Sequence, residues 1–373
     1  MFWAMVRFIN RLIPKGDLIL FYSIPDFADN PFYLYKQMVK QGICEKYECV
    51  WIVNSLEGKK RVESFGGTAI LRQNKVTLMK HAFRAKFIIS SHGPPLWRVP
   101  SQVGIELYHG IPLKRLLKHF GDAIDNFVVP SEFVAILFSS NIQASLDKFI
   151  PLGQPRCDAL FVPKENALET LAKIFNDSVE KYKYKKYKKI VMYLPTFRDY
   201  RETATREIIS SLISNSAFIG FLKNENVLFI IKPHIRDESF FEKYRSDNIR
   251  ILKNSELVDR YLTIYDILPA VDILVTDYSS VYFDYLLLNR PIVFYIPDLE
   301  KYRETRGFLL EPYEKWTPGD KARTPEELVV ALEEAINNPR KWERERLWLR
   351  DVMFKYQDGK ASERIIKYFW GDI

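Results

Sequence analysis

The chain is short of the features that assign a protein quickly. It has three cysteines and five histidines in 373 residues. Cys44, Cys49 and Cys157 are an odd number without metal-ligand spacing and without an accompanying histidine. That pattern predicts reduced, structural thiols and argues against zinc and against a disulfide framework. No apolar run approaches the ~18 residues of a membrane-spanning helix. There is no Gly-x-Gly-x-x-Gly turn and no Gly-x-x-x-x-Gly-Lys loop, so dinucleotide and P-loop binding have no support. A Gly-x-Ser-x-Gly elbow, the mark of serine hydrolases, is missing as well. No acidic pair stands at metal-ligand spacing, so neither metal nor cofactor is expected and cations and helix ends would have to manage charge.

What is present is ample apolar material. Hydrophobic residues make up 47% and aromatics 14%, enough at this length for two domains with real cores. The formal net charge of +8 suits an anionic partner: nucleic acid, an acidic membrane surface or a phosphorylated substrate.

The first thirteen residues, MFWAMVRFINRLI, place Phe2, Met5, Val6, Ile9, Leu12 and Ile13 at helical spacing, with Arg7, Asn10 and Arg11 opposite or beside them. Pro14 ends the segment. It is too short to span a bilayer, and the two arginines interrupt what a signal peptide needs as its apolar core. Residues 1–16 read as an amphipathic helix on a membrane surface, or as a helix packed on the protein, since both share this periodicity.

From residue 17 to 163, short apolar strands alternate with helices: Leu18 to Ile24, Glu48 to Val53, Thr68 to Leu71, Phe87 to Ser90, Gly104 to Tyr108 and Phe127 to Val129. A connector follows over 164–189, ending in the run EKYKYKKYKK, which reads as a solvated face or as a grip on a phosphate-rich partner. A second alternating series fills 190–350, and a last helix lies within 351–373. The fold class expected is α/β, with two doubly wound Rossmann-type domains facing a central cleft.

Four strand ends carry residues that could do chemistry. Tyr108-His109-Gly110 is followed by Lys114 and Arg115. Pro195-Thr196-Phe197-Arg198-Asp199 follows a strand, and so does Lys232-Pro233-His234. The fourth is Thr276-Asp277-Tyr278-Ser279-Ser280, a polar elbow between the strand Val271 to Val275 and an aromatic helix. Ligands of doubly wound sheets bind beyond the carboxyl ends of strands. Histidine moves protons near neutral pH, and lysine and arginine neutralise phosphate. The elbow's Ser279 and Ser280 stand where a helix start offers N–H groups to a phosphate, although Asp277 or either serine could simply cap the helix. His92 also ends a strand and is a further candidate, whereas His81 and His119 lie in amphipathic helical surroundings and read as structural.

In this order the motifs resemble the CDP-glycerol glycerophosphotransferase family of bacterial wall teichoic acid synthesis. The resemblance rests on His109 to Lys114, Gly153 to Asp158, Pro195 to Arg198, Lys232 to Ile235, and Thr276 to Ser280. Phe283-Asp284-Tyr285, Arg290-Pro291, Tyr302-Arg303, Arg306-Gly307-Phe308 and Asp358 to Ala361 extend it. Ile111, Phe197 and Ile235 depart from the family pattern and leave every charged or titrating residue in place.

The resemblance implies a GT-B-like fold and transfer of glycerol phosphate from CDP-glycerol to an acceptor hydroxyl, with release of CMP. His109 would be the general base and His234 an acid or charge stabiliser on the donor phosphates. Gly110, Lys114, Arg198, Lys232, Thr276, Asp277, Ser279, Ser280, Arg303 and Arg306 would form the substrate site, with Asp277 capping the helix or accepting from a donor hydroxyl. The chain is similar in extent to the family's bare two-domain priming enzyme, whose acceptor is an undecaprenyl-diphosphate-linked disaccharide. Peripheral attachment to the cytoplasmic face of the bacterial membrane, and no nucleic acid partner, follow from the same likeness. Polymerases of glycerol or ribitol phosphate share the motifs. A nucleotide-sugar glycosyltransferase or a non-catalytic basic membrane binder are the readings from other classes.

Overall fold

The computed structural model describes residues 2–93, 95, 97–115, 123–183, 187–198, 200–242, 244 and 246–371. His119, Asp199 and residues 184–186 of the Lys/Tyr run lie outside the described residues. The chain divides into two compact units: Met1–Gly110, Leu116–Asp158 and Met353–Ile373 in the first, Ile111–Arg115 and Ala159–Val352 in the second.

Unit 1 is built on seven parallel strands: β1 (Gly16–Tyr22), β2 (Glu48–Val53), β3 (Thr68–Leu71), β4 (Ala85–Ser90), β5 (Val103–Glu106), β6 (Asn126–Val129) and β7 (Phe149–Pro151). Their order is β3-β2-β1-β4-β5-β6-β7. Leu18, Ile19, Leu20 and Phe21 are all essentially inaccessible, as expected for a central parallel strand covered on both faces. An aromatic nest fixes one face, where Phe21 stacks on Trp51 at 5.1 Å and Phe27 meets Trp51 edge-on at 4.9 Å. The terminal helix Ala361–Trp370 belongs to this unit. Its first N–H groups, from Ala361 and Ser362, donate to the Asp158 carboxylate at 2.8 Å each, a cap supplied from two hundred residues away. Gly153 (φ +100°) faces that helix start, and a Cβ there would stand 2.9 Å from the Ala361 Cβ, so the close approach requires glycine.

The N-terminal helix α1 (Phe2–Leu12) packs on unit 1 by a face the sequence pattern does not single out. Val6 and Asn10 are buried. The Asn10 side chain donates to Trp97 O at 2.8 Å and Gln102 Oε1 at 2.9 Å, and Lys15 Nζ donates to Asn10 Oδ1 at 2.7 Å. Met5, Phe8, Ile9 and Leu12 point to solvent, with Ile9 at 42% and Leu12 at 69% exposure.

Unit 2 holds six parallel strands: β8 (Lys189–Leu194), β9 (Val227–Ile231), β10 (Ile249–Ile251), β11 (Ile273–Thr276), β12 (Ile292–Tyr295) and β13 (Asp320–Ala322). The order is β10-β9-β8-β11-β12-β13. The core gathers Val191, Tyr193, Phe218, Phe229, Val275 and Val293 against the helix Pro325–Asn337. Between β11 and β12 the chain makes a short helix, Val281–Tyr285, and one 3-10 turn, Leu286–Leu288. Residues 111–115 pair with this unit: Leu309 N–H donates to Leu113 O at 2.8 Å, and Lys114 forms a bridge with Phe308.

One expectation is overturned. Cys44 and Cys49 form a disulfide, because the turn from the helix Ile43–Lys46 into β2 brings their Cα atoms to 5.5 Å, within the range such a bond needs. Cys157 is buried and takes no part in it.

Candidate active site

In unit 1 the candidate residues gather where β4 and β5 end side by side. β5 runs into Leu107, Tyr108 and His109. Tyr108 is held at φ +46°, a conformation that costs a non-glycine residue energy, and Gly110 follows at φ +157°. Several groups hold this elbow. Asn30 Nδ2 donates to Tyr108 O at 2.8 Å, and Arg156 Nη1 donates both to His109 O at 2.8 Å and to Asp29 Oδ1 at 2.9 Å. The His109 ring is exposed at the surface, stacked between its neighbours at 4.1 Å from Tyr108 and 4.5 Å from His92. His109 Nδ1 lies 3.0 Å from the carbonyl of Ser91. A carbonyl only accepts, so Nδ1 carries the proton and the neutral ring has its lone pair on Nε2, the arrangement of a base.

Beneath the elbow sits Glu106, 3% exposed. Its carboxylate accepts from Ser90 Oγ, from Gly93 N–H at 3.0 Å and from Tyr108 N–H at 3.0 Å, joining the β4 and β5 ends. Burial pushes its pKa up to about 7; the three hydrogen bonds oppose the shift and Asp29 adds to it. The folded protein therefore binds a proton here that the unfolded chain releases between about pH 4.5 and 7. Stability falls as pH rises through that window, by about 3 kcal/mol from this group. Glu106→Gln is expected to flatten the pH dependence of the urea midpoint between pH 5 and 8. An unchanged slope would show that Glu106 does not titrate there.

In unit 2 the strands β9, β8, β11 and β12 are neighbours, so Lys232–His234, Thr196–Arg198, Thr276–Ser280 and Asp298 share one carboxyl edge. The site predicted for Arg198 needs correcting. Arg198 is wholly buried between two carboxylates: Nη1 pairs with Asp277, while Nε and Nη2 donate to Asp298 at 3.0 and 2.9 Å. Burial alone would lower its pKa, but Asp277 and Asp298 overturn this and hold it well above the usual value. Asp298 also accepts from Tyr278 OH at 2.9 Å and from Tyr200 OH. Asp277 is likewise buried, accepting from Thr196 N–H at 2.9 Å and from the N–H of its neighbour Tyr278, so its carboxylate is taken up by Arg198 and the backbone and not by the helix Val281–Tyr285. Thr276 is buried too, its hydroxyl donating to Leu194 O at 2.8 Å. These three residues brace the edge from below.

Half-exposed above that brace are Ser279 and Ser280, Lys232 and His234. Lys232 Nζ stands 3.7 Å from Glu238, and burial lowers its pKa while Glu238 opposes the shift. The His234 ring lies 4.8 Å from that of Phe197. Its Nδ1 accepts from Arg236 N–H at 3.4 Å, so the neutral ring carries its proton on Nε2 and can donate, the reverse of His109. Arg303 is drawn into ion pairs with Glu311 at 3.0 Å and Glu314 at 3.9 Å. The side chain of Arg306 is half-exposed, and among the described residues no carboxylate pairs with it. Lys114 Nζ lies 6.0 Å above the Tyr302 ring, which stacks on Tyr278 at 3.9 Å. Among the described residues no cluster of three or more His, Cys, Asp or Glu could hold a metal ion.

Sequence reasoning missed Glu106, Asn30, Arg156 and Asp298. A lone carboxylate inside the apolar run Gly104 to Tyr108 was the visible signal for Glu106, and Arg156 lay within the Gly153 to Asp158 motif.

The chain is similar to a teichoic acid poly(glycerol phosphate) polymerase of Bacillus spizizenii, 26% identical over 99% of this chain and 96% of that one. It is 32% identical to the teichoic acid glycerol-phosphate primase of Bacillus subtilis over 69% of this chain, which spans 60% of the primase. A histidine-to-asparagine variant of the wall teichoic acid polymerase TagF, soaked with CDPG, superposes with a TM-score of 0.76 at 22% identity, over 97% of this chain and 92% of that one. That likeness bears out the GT-B-like α/β fold class. The model of CDP-Glycerol:Poly(glycerophosphate) glycerophosphotransferase matches residues 4–371, nearly the whole chain. This protein, a transferase, belongs to that glycerophosphotransferase family.

Proposed function

We propose that the protein transfers glycerol phosphate from CDP-glycerol to a hydroxyl of an undecaprenyl-diphosphate-linked disaccharide, releasing CMP, as a priming step. The observation that carries the reading is the pair of ring contacts, His109 Nδ1 at 3.0 Å from the Ser91 carbonyl and His234 Nδ1 at 3.4 Å from Arg236 N–H, which in the neutral rings leave a lone pair on Nε2 of His109 and a proton on Nε2 of His234. The acceptor oxygen attacks the phosphorus that bears glycerol, and its proton passes to His109. The bond from that phosphorus to the bridging oxygen breaks, and CMP leaves with the electron pair, its charge met by His234 Nε2–H. Lys232, Ser279 and Ser280 hold the donor phosphates, with Arg306 and Lys114 as further cations. Arg198 and Asp277 act by bracing this edge.

The reaction is tested by incubating the protein with CDP-glycerol and a short-chain lipid disaccharide and weighing the products. One added glycerol phosphate is expected. A second reading, polymerisation, draws on the near-complete coverage of the Bacillus spizizenii polymerase, and a ladder of masses would establish it instead.

The same proposal places the protein on the cytoplasmic membrane surface. Met5, Phe8, Ile9 and Leu12 form one exposed stripe on α1, flanked by Arg7 and Arg11. Removing the helix would also strip Asn10 from Trp97 and Gln102, so point changes are the cleaner probe. Phe8→Ser with Leu12→Ser is expected to abolish sedimentation with phosphatidylglycerol vesicles while leaving the melting temperature unchanged. Retained sedimentation would remove α1 from membrane attachment.

A further inference from the structure

The ladder between β4 and β5 ends at the rung that pairs Ser90 with Glu106. One more backbone bond follows, from Leu107 N–H to Ser90 O at 2.7 Å. His92 and His109 both lie beyond that point, so the strand ladder places neither ring. Partners on one rung of a parallel pair send their side chains to the same face, which sets the Glu106 carboxylate beside the Ser90 hydroxyl.

The carboxylate oxygens divide between the two departing chains. Oε2 accepts from Ser90 Oγ and from Gly93 N–H at 3.0 Å on the β4 side, and Oε1 accepts from Tyr108 N–H at 3.0 Å on the β5 side. Both N–H groups belong to residues in the left-handed region, Gly93 at φ +97° and Tyr108 at φ +46°. Tyrosine holds that conformation at a cost, so contacts from outside the strand must keep it there. Between the two clamped points lies the contact that fixes the base: the carbonyl of the wholly buried Ser91 accepts from His109 Nδ1 at 3.0 Å. Ser91 Oγ stands 3.0 Å from Nδ1 of His92, the ring on which His109 stacks. Chain, carboxylate and the Nδ1 bond therefore close a ring that includes both histidines.

An apolar side chain at this position would avoid the cost of burying a carboxylate, a cost visible in the raised pKa of Glu106. What the carboxylate adds is geometry. The clamp also holds in both protonation states: a proton on Oε2 is donated to Ser90 Oγ, which has Gly93 O at 3.3 Å as its own acceptor. We infer that Glu106 is a positioning residue for the base: by tying Gly93 to Tyr108 it holds the Ser91 carbonyl against His109 Nδ1, and so keeps the lone pair of the ring on Nε2. The inference rests on the reading of His109 as the acceptor's base. It gives Glu106 no contact with substrate and no share in the transferred proton.

The test compares Glu106→Met, close in volume but without an acceptor, with Glu106→Gln, whose amide keeps the Tyr108 and Ser90 bonds and loses only Gly93 N–H. Glu106→Met is expected to lower kcat for glycerol phosphate transfer by about 10²-fold, the scale of a misplacement near 1 Å, with KM for CDP-glycerol unchanged. Glu106→Gln should lose about 5–10-fold, the worth of one hydrogen bond. In a His109→Ala background Glu106→Met should cost nothing further, because the clamp acts only through that ring. A second readout needs no turnover: nitrogen-15 spectra of histidine-labelled protein at pH 8.5, above the ordinary imidazole pKa of about 6.5, with the His109 signals assigned by His109→Ala. Wild type should show His109 protonated on Nδ1 alone, and Glu106→Met a mixture of both tautomers. An equal loss of rate with and without His109 would overturn the inference, and so would a wild-type His109 spectrum in Glu106→Met. If Glu106→Met fails to fold, Glu106→Gln decides, and a rate and spectrum identical to wild type would overturn it. A wild-type protein that transfers no glycerol phosphate would remove the proposed reaction and leave the spectra to decide the clamp.

Discussion

His109→Ala is expected to lower the rate of glycerol phosphate transfer by about 10²–10⁴-fold, the usual worth of a general base. The loss should fall on kcat, with little change in KM for CDP-glycerol, because the ring handles the acceptor's proton and holds none of the donor. The substitution removes an exposed ring from an elbow that Asn30, Arg156 and Glu106 fix through backbone atoms. The melting temperature should therefore stay within a few degrees of wild type. A variant that keeps near wild-type turnover with its own acceptor would show that the proton goes elsewhere. His234→Ala tests the donor side separately, since a lost Nε2–H donor should raise the barrier to CMP departure.

Arg198→Leu should act on stability. Taking away the guanidinium leaves Asp277 buried beside an apolar side chain and deprives Asp298 of two of its donors. Removing one member of a buried ion pair costs about 3–5 kcal/mol, because the remaining charge has no solvent to return to. Were Arg198 instead a direct phosphate ligand, the same change would weaken CDP-glycerol binding and leave the fold intact. Urea denaturation of the unliganded variant separates the two: a midpoint equal to wild type would contradict the bracing role. Ser280→Ala offers the contrast, since its hydroxyl supports no part of the core and the change should act on donor affinity. Ser279 Oγ also accepts from Val281 N–H at 3.4 Å, so its loss should loosen the helix start as well.

Much of this was readable from the residues in order. Buried parallel strands are apolar on both faces, so they appear as short apolar runs, and the polar residues that end them mark the sheet's carboxyl edge. His109, Lys232, His234 and the Ser279–Ser280 pair were located in this way. What stayed hidden depends on residues far apart in the chain. Arg198 meets carboxylates 79 and 100 residues away, so its spacing in the motif could not distinguish a phosphate ligand from a buried strut. The helical period of α1 was plain, but the face turned inward is decided by Asn10's partners 87 and 92 residues on. β7 and β13 escaped notice because each is three residues long at a sheet edge, where one contains proline and the other Asp-Lys-Ala. The Cys44–Cys49 bond was likewise invisible until the turn between them was known.

The most direct test of the central claim is to follow CMP release and product mass together, with CDP-glycerol and a short-chain lipid disaccharide as substrates, in wild type and His109→Ala. The account predicts one CMP for each acceptor that gains a glycerol phosphate in wild type, and a reaction slowed by at least about a hundredfold in the variant. Turnover of a UDP- or GDP-sugar with no CMP released, or equal rates in the two proteins, would contradict it.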